Sequence, residues 1–289
     1  MRAVQFNRPP RLQPELPIGE RTVPNPPTRS IASGSLGMVA LVLPLISILA
    51  YALLASRGGN PLFILPMGIT AIASGAVGFL TWRNNQRAEE QKQESYRTAL
   101  AALQREMEEH QNQQMNFLVH NYPPVDTVLS MAQTTSERLF ERRPGDPDFG
   151  AIRVGAGRVT SSMELKPPSS DQLDAPQSQA AHKLVSDFRY LQDAPITISL
   201  RTTNAVGVTA SNTKLANDFA RAVAAHLAAF HAPHELRLFV VGGADAKAQW
   251  NWARRLPHCA SQNPAVESQQ LCFDEGQYAK FWDQLQYEL

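Results

Sequence analysis

Apolar residues are spread unevenly along this chain of 289 residues. Two blocks, Ile31 to Ser56 (IASGSLGMVALVLPLISILAYALLAS) and Pro61 to Trp82 (PLFILPMGITAIASGAVGFLTW), contain no Asp, Glu, Lys or Arg. Each exceeds the roughly 20 residues that cross a hydrocarbon core of about 30 Å. The pattern predicts a transmembrane hairpin over 31–82, its two helices (31–56 and 61–82) joined by the tight turn Arg57 to Asn60. Arg21 and Arg29 before the hairpin, and Arg83, Arg87, Lys92 and Arg97 after it, put both ends on the cytosolic side. Ser33 with Gly37 and Ser74 with Gly78 are small pairs four apart, which let helix backbones approach closely in lipid. Pro44 and Pro66 predict kinks. A cleaved signal peptide does not fit, because a polar, proline-rich tail over 1–30 comes first and the apolar block is too long. The tail itself can form neither a helix nor a central strand, and is expected to be extended and ordered only when a partner or the lipid headgroups hold it.

The pattern changes at Arg83 to a run of Gln, Glu, Lys and Arg without Gly or Pro, which predicts a helical stalk over 83–142. Tyr96, Leu100, Leu103 and Met107 alternate spacings of four and three, the seam of a coiled coil and a candidate partner surface. Pro123 and Pro124 break the stalk, and Pro124 is placed to start a second helix to about Arg142 with Val125, Leu129, Ala132 and Leu139 on one face.

Over 143–289 short strand patterns alternate with helical ones. AIRVGAGRVTSSMEL reads as strand, turn and strand; KPPSSDQLDAPQSQ as a loop; AAHKLVSDFRYL as an amphipathic helix. ITISL, AVGVTA, LRLFVV and a piece around Leu271 to Phe273 read as strands, with helices over Leu215 to Phe230, through DAKAQWNWARRL, and at the C-terminal end. This succession predicts a mainly parallel, three-layer α/β domain.

Composition narrows the chemistry. A net charge of +1 gives no bulk electrostatic support to a nucleic-acid partner. Cys259 and Cys272 form neither a disulfide framework nor a CxxC motif. The stretch GVTASNTKLAND, Gly207 to Asp218, lies where a phosphate-binding loop would lie, between an apolar run and a helix. A working loop needs glycines to wrap phosphates, a lysine for the β- and γ-phosphates, and a hydroxyl for magnesium. Aligned on Lys214, Thr213 stands where Gly is needed and Leu215 where Ser or Thr is needed. Val208 holds the first glycine's place, with Gly207 one step too early. LRLFVV runs into Gly242 and Gly243 instead of the acids that hold the metal. The expectation is therefore a degenerate P-loop of RecA/FtsK type: a chain that is not itself an enzyme and carries no catalytic residue, metal or cofactor.

The tail RPPR...PxGE...PNPP, the apolar pair of blocks, the charged stalk, ERRPGDPDFGAIRVGAG, ITISLR and WARRLPH together make the chain similar to the start of EccC and EssC proteins. These are the FtsK/SpoIIIE-type ATPases of type VII secretion. The similarity covers nearly the whole sequence and is most specific over Glu141 to Gly157. It implies a degenerate ATPase-like domain after the stalk, and ATP with Mg²⁺ only in further modules that this sequence lacks, so that it reads as an anchor region of a longer protein or a short relative. It also implies placement in the bacterial inner membrane, EccB-, EccD- and EccE-like partners, contact with membrane lipid, and homo-oligomerisation in the assembled complex. The expected function is membrane anchoring and coupling of secretion motors.

The sequence offers further candidate groups. His226, His231 and His234 are close in sequence but not spaced as a zinc pair. Trp250, Trp252, Arg254 and Arg255 read either as a docking edge or as a helix packed by its tryptophans. Arg142, Arg143, Asp146 and Asp148 surround a proline-rich turn and read as an elbow between stalk and domain. Two other functions compete: a DNA-translocase anchor, which the charge balance does not favour, and a two-helix sensor kinase with His120 as phospho-acceptor, which lacks the acidic neighbour and the nucleotide lid.

Overall fold

The computed structural model describes residues 8–27, 42, 46–53, 56–58, 64–169, 176–203, 205–260 and 270–288. These fall into two compact units. One comprises the tail up to Ile18, His110–Ser162 and Tyr190–Leu289; the other comprises Gly19–Glu109 and Met163–Arg189.

The second unit is built on helix α1, Ile64–Asn121, which is 58 residues long and continues to Asn121 within the first unit. Strand β1, Gly19–Thr22, pairs in parallel with β3, Met163–Lys166, and helix α3, Pro176–Asp187, follows. Val23, Leu103, Met107, Met163, Leu165, Ala181 and Phe188 form its core, with Leu100 packed against them. The apolar seam of the stalk thus packs on strands and a helix of this same chain. Tyr96 is buried as well. Pro66 lies in the first turn of α1, where a missing N–H costs no helical hydrogen bond, and the helix runs on through it.

The first unit holds helix α2, Val125–Gln133, and the antiparallel pair β2, Ala151–Thr160, and β4, Tyr190–Ser199. It also holds helix α4, Thr213–Phe230, the two-residue parallel pair β5, Val240–Val241, and β6, Leu271–Cys272, the short helix α5, Lys247–Trp250, and helix α6, Tyr278–Glu288. Helix α4 starts where the Asn212 side chain accepts the Leu215 N–H at 2.9 Å, the usual device for an unpaired first-turn amide. It ends as His231 turns extended and Ala232 and Pro233 follow. Its last two turns, from Ala224 to Phe230, are largely buried. Ala229 and Phe230 pack with Val128 and Met131 of α2, while Ala224 packs with Trp250, Ala253, Cys259 and Phe273.

Two expectations need correction. The transmembrane hairpin, and with it the two-pass inner-membrane placement and the lipid contact, is not upheld. Among the described residues no helix is long and apolar enough to cross a membrane. From Ile64 the second apolar block is the opening of α1, a helix that carries Gln, Glu, Lys and Arg throughout its later part from Arg83 on, and most of the first block lies outside the described residues. Nor do the described strands make a three-layer, mainly parallel sheet: they form three separate two-stranded sheets. AIRVGAGRVTSSMEL holds the two expected strands, β2 and β3, which pair with β4 and β1 respectively. AVGVTA carries no strand, and LRLFVV is shared between two neighbours, Leu238 N–H donating to His258 O and Val240 N–H to Gln270 O. A strand pattern fixes which face is apolar and leaves the pairing partner open, which is why the strands were legible and their sheets were not.

Candidate functional site

Among the described residues the elbow brings several buried or half-buried charges together. Arg142 is fully buried, its side chain 0% exposed. Its Nη1 donates to Ala151 O at 2.6 Å, its Nη2 donates to Asn121 O, and its Nε lies 3.2 Å from Asp148 Oδ2. The guanidinium is stacked between Tyr122 and Phe230, 4.9 and 4.6 Å from their ring centroids, a cation–π arrangement that strengthens out of water. Its own N–H donates to Phe230 O at 2.9 Å. One side chain therefore ties the end of α1, the start of β2 and the end of α4.

Asp148 carries the counter-charge and shares it with the tail. Arg11 donates to both Asp148 oxygens at 2.7 and 2.6 Å, and to Asn121 Oδ1 at 2.9 Å, the planar fork geometry that favours arginine over lysine. Glu141 and Asp146 lie further out, at 3.9 and 3.6 Å. Burial by itself would push the Asp148 carboxyl up, but the Arg11 hydrogen bonds and the charges of Arg142 and Arg11 outweigh it and hold it below the usual range. For Arg142 burial dominates and pulls the guanidinium below its ordinary value against the attraction of Asp148. Arg8 adds a second fork to Glu235, at 3.0 and 2.6 Å, and donates to Phe140 O at 3.2 Å. Phe140 adopts φ 60, a left-handed conformation costly for a bulky residue. It is held there by its N–H donating to Ala229 O at 2.7 Å and by the Arg8 contact.

His231 closes the back of this cluster. Its Nδ1 faces Leu227 O at 2.9 Å and its Nε2 accepts the Gly150 N–H at 2.9 Å, which fixes the neutral tautomer with the proton on Nδ1. Gly150 has φ 73, a conformation that favours glycine at this turn. Burial pulls the His231 imidazole down to about 4 and that of His226 to about 3. His234 is 70% exposed at its side chain, so the three histidines share no centre, and among the described residues no group of acids, histidines and cysteines could hold a metal ion.

The segment expected to be a degenerate loop is placed differently. Gly207 lies in extended coil before α4, with open space where a Cβ would point. Thr213, Lys214 and Leu215 form the exposed first turn of the helix. The Lys214 side chain is 79% exposed, and its ammonium donates to Asp218 Oδ2 at 2.8 Å, one helical turn on. Asp218 also receives Arg221, and the hydrogen bonds from Lys214 and Arg221 hold its carboxyl below the usual range. The lysine thus neutralises an acid of its own helix.

Of the elbow residues expected from the sequence, Arg142 and Asp148 meet directly. Asp146 accepts the Arg143 N–H at 2.8 Å, and Arg143 itself is exposed. Sequence reasoning did not find the tail residues Arg8 and Arg11, whose partners lie more than 100 positions away. Nor did it find Asn121 and His231 as parts of the same cluster. The only local signal was arginine recurring within a proline-rich segment. The tail, expected to need an external partner, is held by its own chain.

This arrangement defines a class: a chain in which Lys214 is spent on a surface ion pair and buried charges lock a tail to a helical elbow. Over 86% of its length the chain is 28% identical to the ESX secretion system protein EccC of Thermomonospora curvata. It is 22% identical over 94% of its length to the ESX secretion system protein YukB of Bacillus subtilis, and 33% identical over 44% to the ESX-4 secretion system protein EccC4 of Mycobacterium tuberculosis. The chain is EccC-like, at low identity. It spans 19%, 18% and 10% of the lengths of these three relatives. No family model matches it.

Proposed function

We propose that the chain is a structural coupling module of ESX-type (type VII) protein secretion, which positions FtsK-type ATPase modules within the secretion complex and does not itself turn over ATP. The reading rests on one contrast. The lysine at the degenerate loop is exposed and paired within its own helix, whereas the buried charges are arranged to hold Arg11, Asn121, Arg142 and Asp148 in one fixed elbow. The similarity to ESX secretion proteins supports the same role. Its partners on this reading are further copies of the chain and EccB-, EccD- or EccE-like components, bound through surfaces that the elbow keeps in register.

The test is export of native ESX substrates from a host in which the gene for this chain is altered in place. Lys214→Ala is expected to leave export intact, while Arg142→Met is expected to stop it and to reduce recovery of other complex components with the tagged chain. Loss of export with Lys214→Ala at normal chain levels, or ATP turnover by the purified chain, would overturn the proposal.

A further inference from the structure

A cavity of about 200 Å³ opens in the first unit between the start of α2, strand β2 and helix α4, apart from the elbow cluster. Phe219 and Ala222 line it from α4, and Pro124 and Val125 from the start of α2. Strand β2 contributes Arg153 and Val154 at a bulge, where the register with β4 slips between Arg153 and Gly155. A Cβ built on Gly155 would meet nothing within 4 Å, so space is left there as well. His226 closes one side, but both of its ring nitrogens are covered, so the imidazole offers a ligand no hydrogen bond.

Arg153 is the polar exception among these walls. Its Nε donates to Gly155 O at 3.2 Å and its Nη1 to Tyr122 O at 2.9 Å. Gly155 lines the cavity, and Tyr122 directly precedes Pro123, which lines it too. The guanidinium is thus pinned between two of the walls before any ligand arrives. Its Nη2 keeps both N–H donors: it meets no partner among the described residues, and it is not closed off from solvent as the His226 nitrogens are.

The charge is unanswered as well. In the same unit Arg8, Arg11, Arg138 and Arg142 each meet a carboxylate, at 2.6, 2.6, 2.7 and 3.2 Å. Among the described residues Arg153 meets none, and no residue lining the cavity is acidic. Its field reaches the neighbouring wall: burial, with the charges of Arg142, His231 and Arg153, holds the His226 imidazole down at about 3. A cation partly withdrawn from water without a counter-charge is costly, whereas an anion that carries its own hydrocarbon satisfies both the guanidinium and the apolar walls. A cavity of roughly 150 Å³ with apolar walls holds one benzene ring, so this volume suits one six-membered ring with a short arm.

We infer that this cavity binds an apolar carboxylate, its hydrocarbon part seated against Phe219, Pro124 and Val125 and its carboxylate on the free Nη2 of Arg153. A planar guanidinium already oriented by two carbonyls loses little freedom in taking up a carboxylate oxygen. The carboxylate can belong to a free aromatic or aliphatic acid or to the C-terminal residue of a polypeptide.

The experiment titrates the full chain with 3-phenylpropionate, with its neutral amide 3-phenylpropanamide, and with N-acetyl-phenylalanine, read by calorimetry and by the ¹³C-methyl shifts of Val125 and Val154. The native chain is expected to bind 3-phenylpropionate about tenfold more tightly than the amide, the size of one hydrogen bond between charged groups, and the acid is expected to shift the methyls of both valines. Tighter binding of N-acetyl-phenylalanine than of 3-phenylpropionate assigns the site to the end of a polypeptide; the reverse order assigns it to a free acid. In Arg153→Gln the preference for acid over amide should vanish, and in Ala222→Leu, which fills the cavity, both ligands should weaken. Equal affinity for acid and amide in the native chain, or valine methyls unmoved by saturating acid, overturns the inference without reference to any variant.

Discussion

Replacing Arg142 by methionine keeps a long, flexible hydrocarbon side chain and removes the charge at the centre of the elbow. The carbonyls of Ala151 and Asn121 lose their donor, at about 1 kcal/mol or more for each buried acceptor. Asp148 loses its contact at 3.2 Å but keeps the Arg11 fork, so the penalty for an abandoned buried charge, usually about 3–5 kcal/mol, is only partly incurred. The stacking of a cation between Tyr122 and Phe230 is also lost, worth about 1–2 kcal/mol when desolvated, although the methionine thioether recovers some contact with the rings. The sum is a destabilisation of about 3–4 kcal/mol, a large share of the roughly 5–15 kcal/mol that holds a domain folded. The assay is urea unfolding at pH 7 followed by tryptophan fluorescence; of the four tryptophans, Trp250, Trp252 and Trp282 lie in the unit that contains Arg142. Arg143→Met, at an exposed neighbour, is the control and should stay within about 0.5 kcal/mol of the parent. A double-mutant cycle with Asp148→Asn should return a coupling of about 1 kcal/mol or more, as for contacting charges in one network. A loss below about 1 kcal/mol for Arg142→Met, or no coupling to Asp148, would refute the view that this buried cation organises the elbow.

Acid should weaken the same unit early. His226 and His231 stay neutral when folded until about pH 3 and about pH 4, whereas in the unfolded chain they take up protons near pH 6.5. The unfolded state therefore binds more protons in this window, and stability falls as pH drops, by up to about 1.4 kcal/mol per pH unit for each histidine. Urea midpoints measured from pH 7 to 5 should decline steadily, and His226→Phe should make the slope shallower, the remainder coming from His231 and from His258 and His120, which burial also lowers; a flat profile would contradict the buried neutral rings. Asp148 acts lower down: its carboxyl is held below the usual range, so its contribution is complete above about pH 4 and is lost only as pH falls through that lowered value. The thiols should be inert. Cys259 and Cys272 are 1% and 3% exposed, and burial pushes the Cys259 thiol up to about 11, so a thiol reagent at pH 8 should label neither residue in the folded chain and both after unfolding.

The long helix, α4, and the existence of strands at AIRVGAGRV and ITIS could be read from the sequence, because spacing and breakers act over a few residues. The segment from Gly207 to Leu215 was legible only as the start of a helix, with Thr213, Lys214 and Leu215 in its exposed first turn. Apolar length alone misled in one respect: the block ending at Trp82 opens a helix that carries Gln, Glu, Lys and Arg from Arg83 on, and no helix long and apolar enough to cross a membrane was found among the described residues. What only the tertiary structure decided was which partner each element takes. The pairing of β2 with β4, the return of the tail so that Arg11 reaches Asp148, and the burial of Arg142 between two rings all join residues far apart along the chain. Charge and hydrophobicity state what a side chain needs, whereas the closure of long loops and the exclusion of water determine which group meets that need.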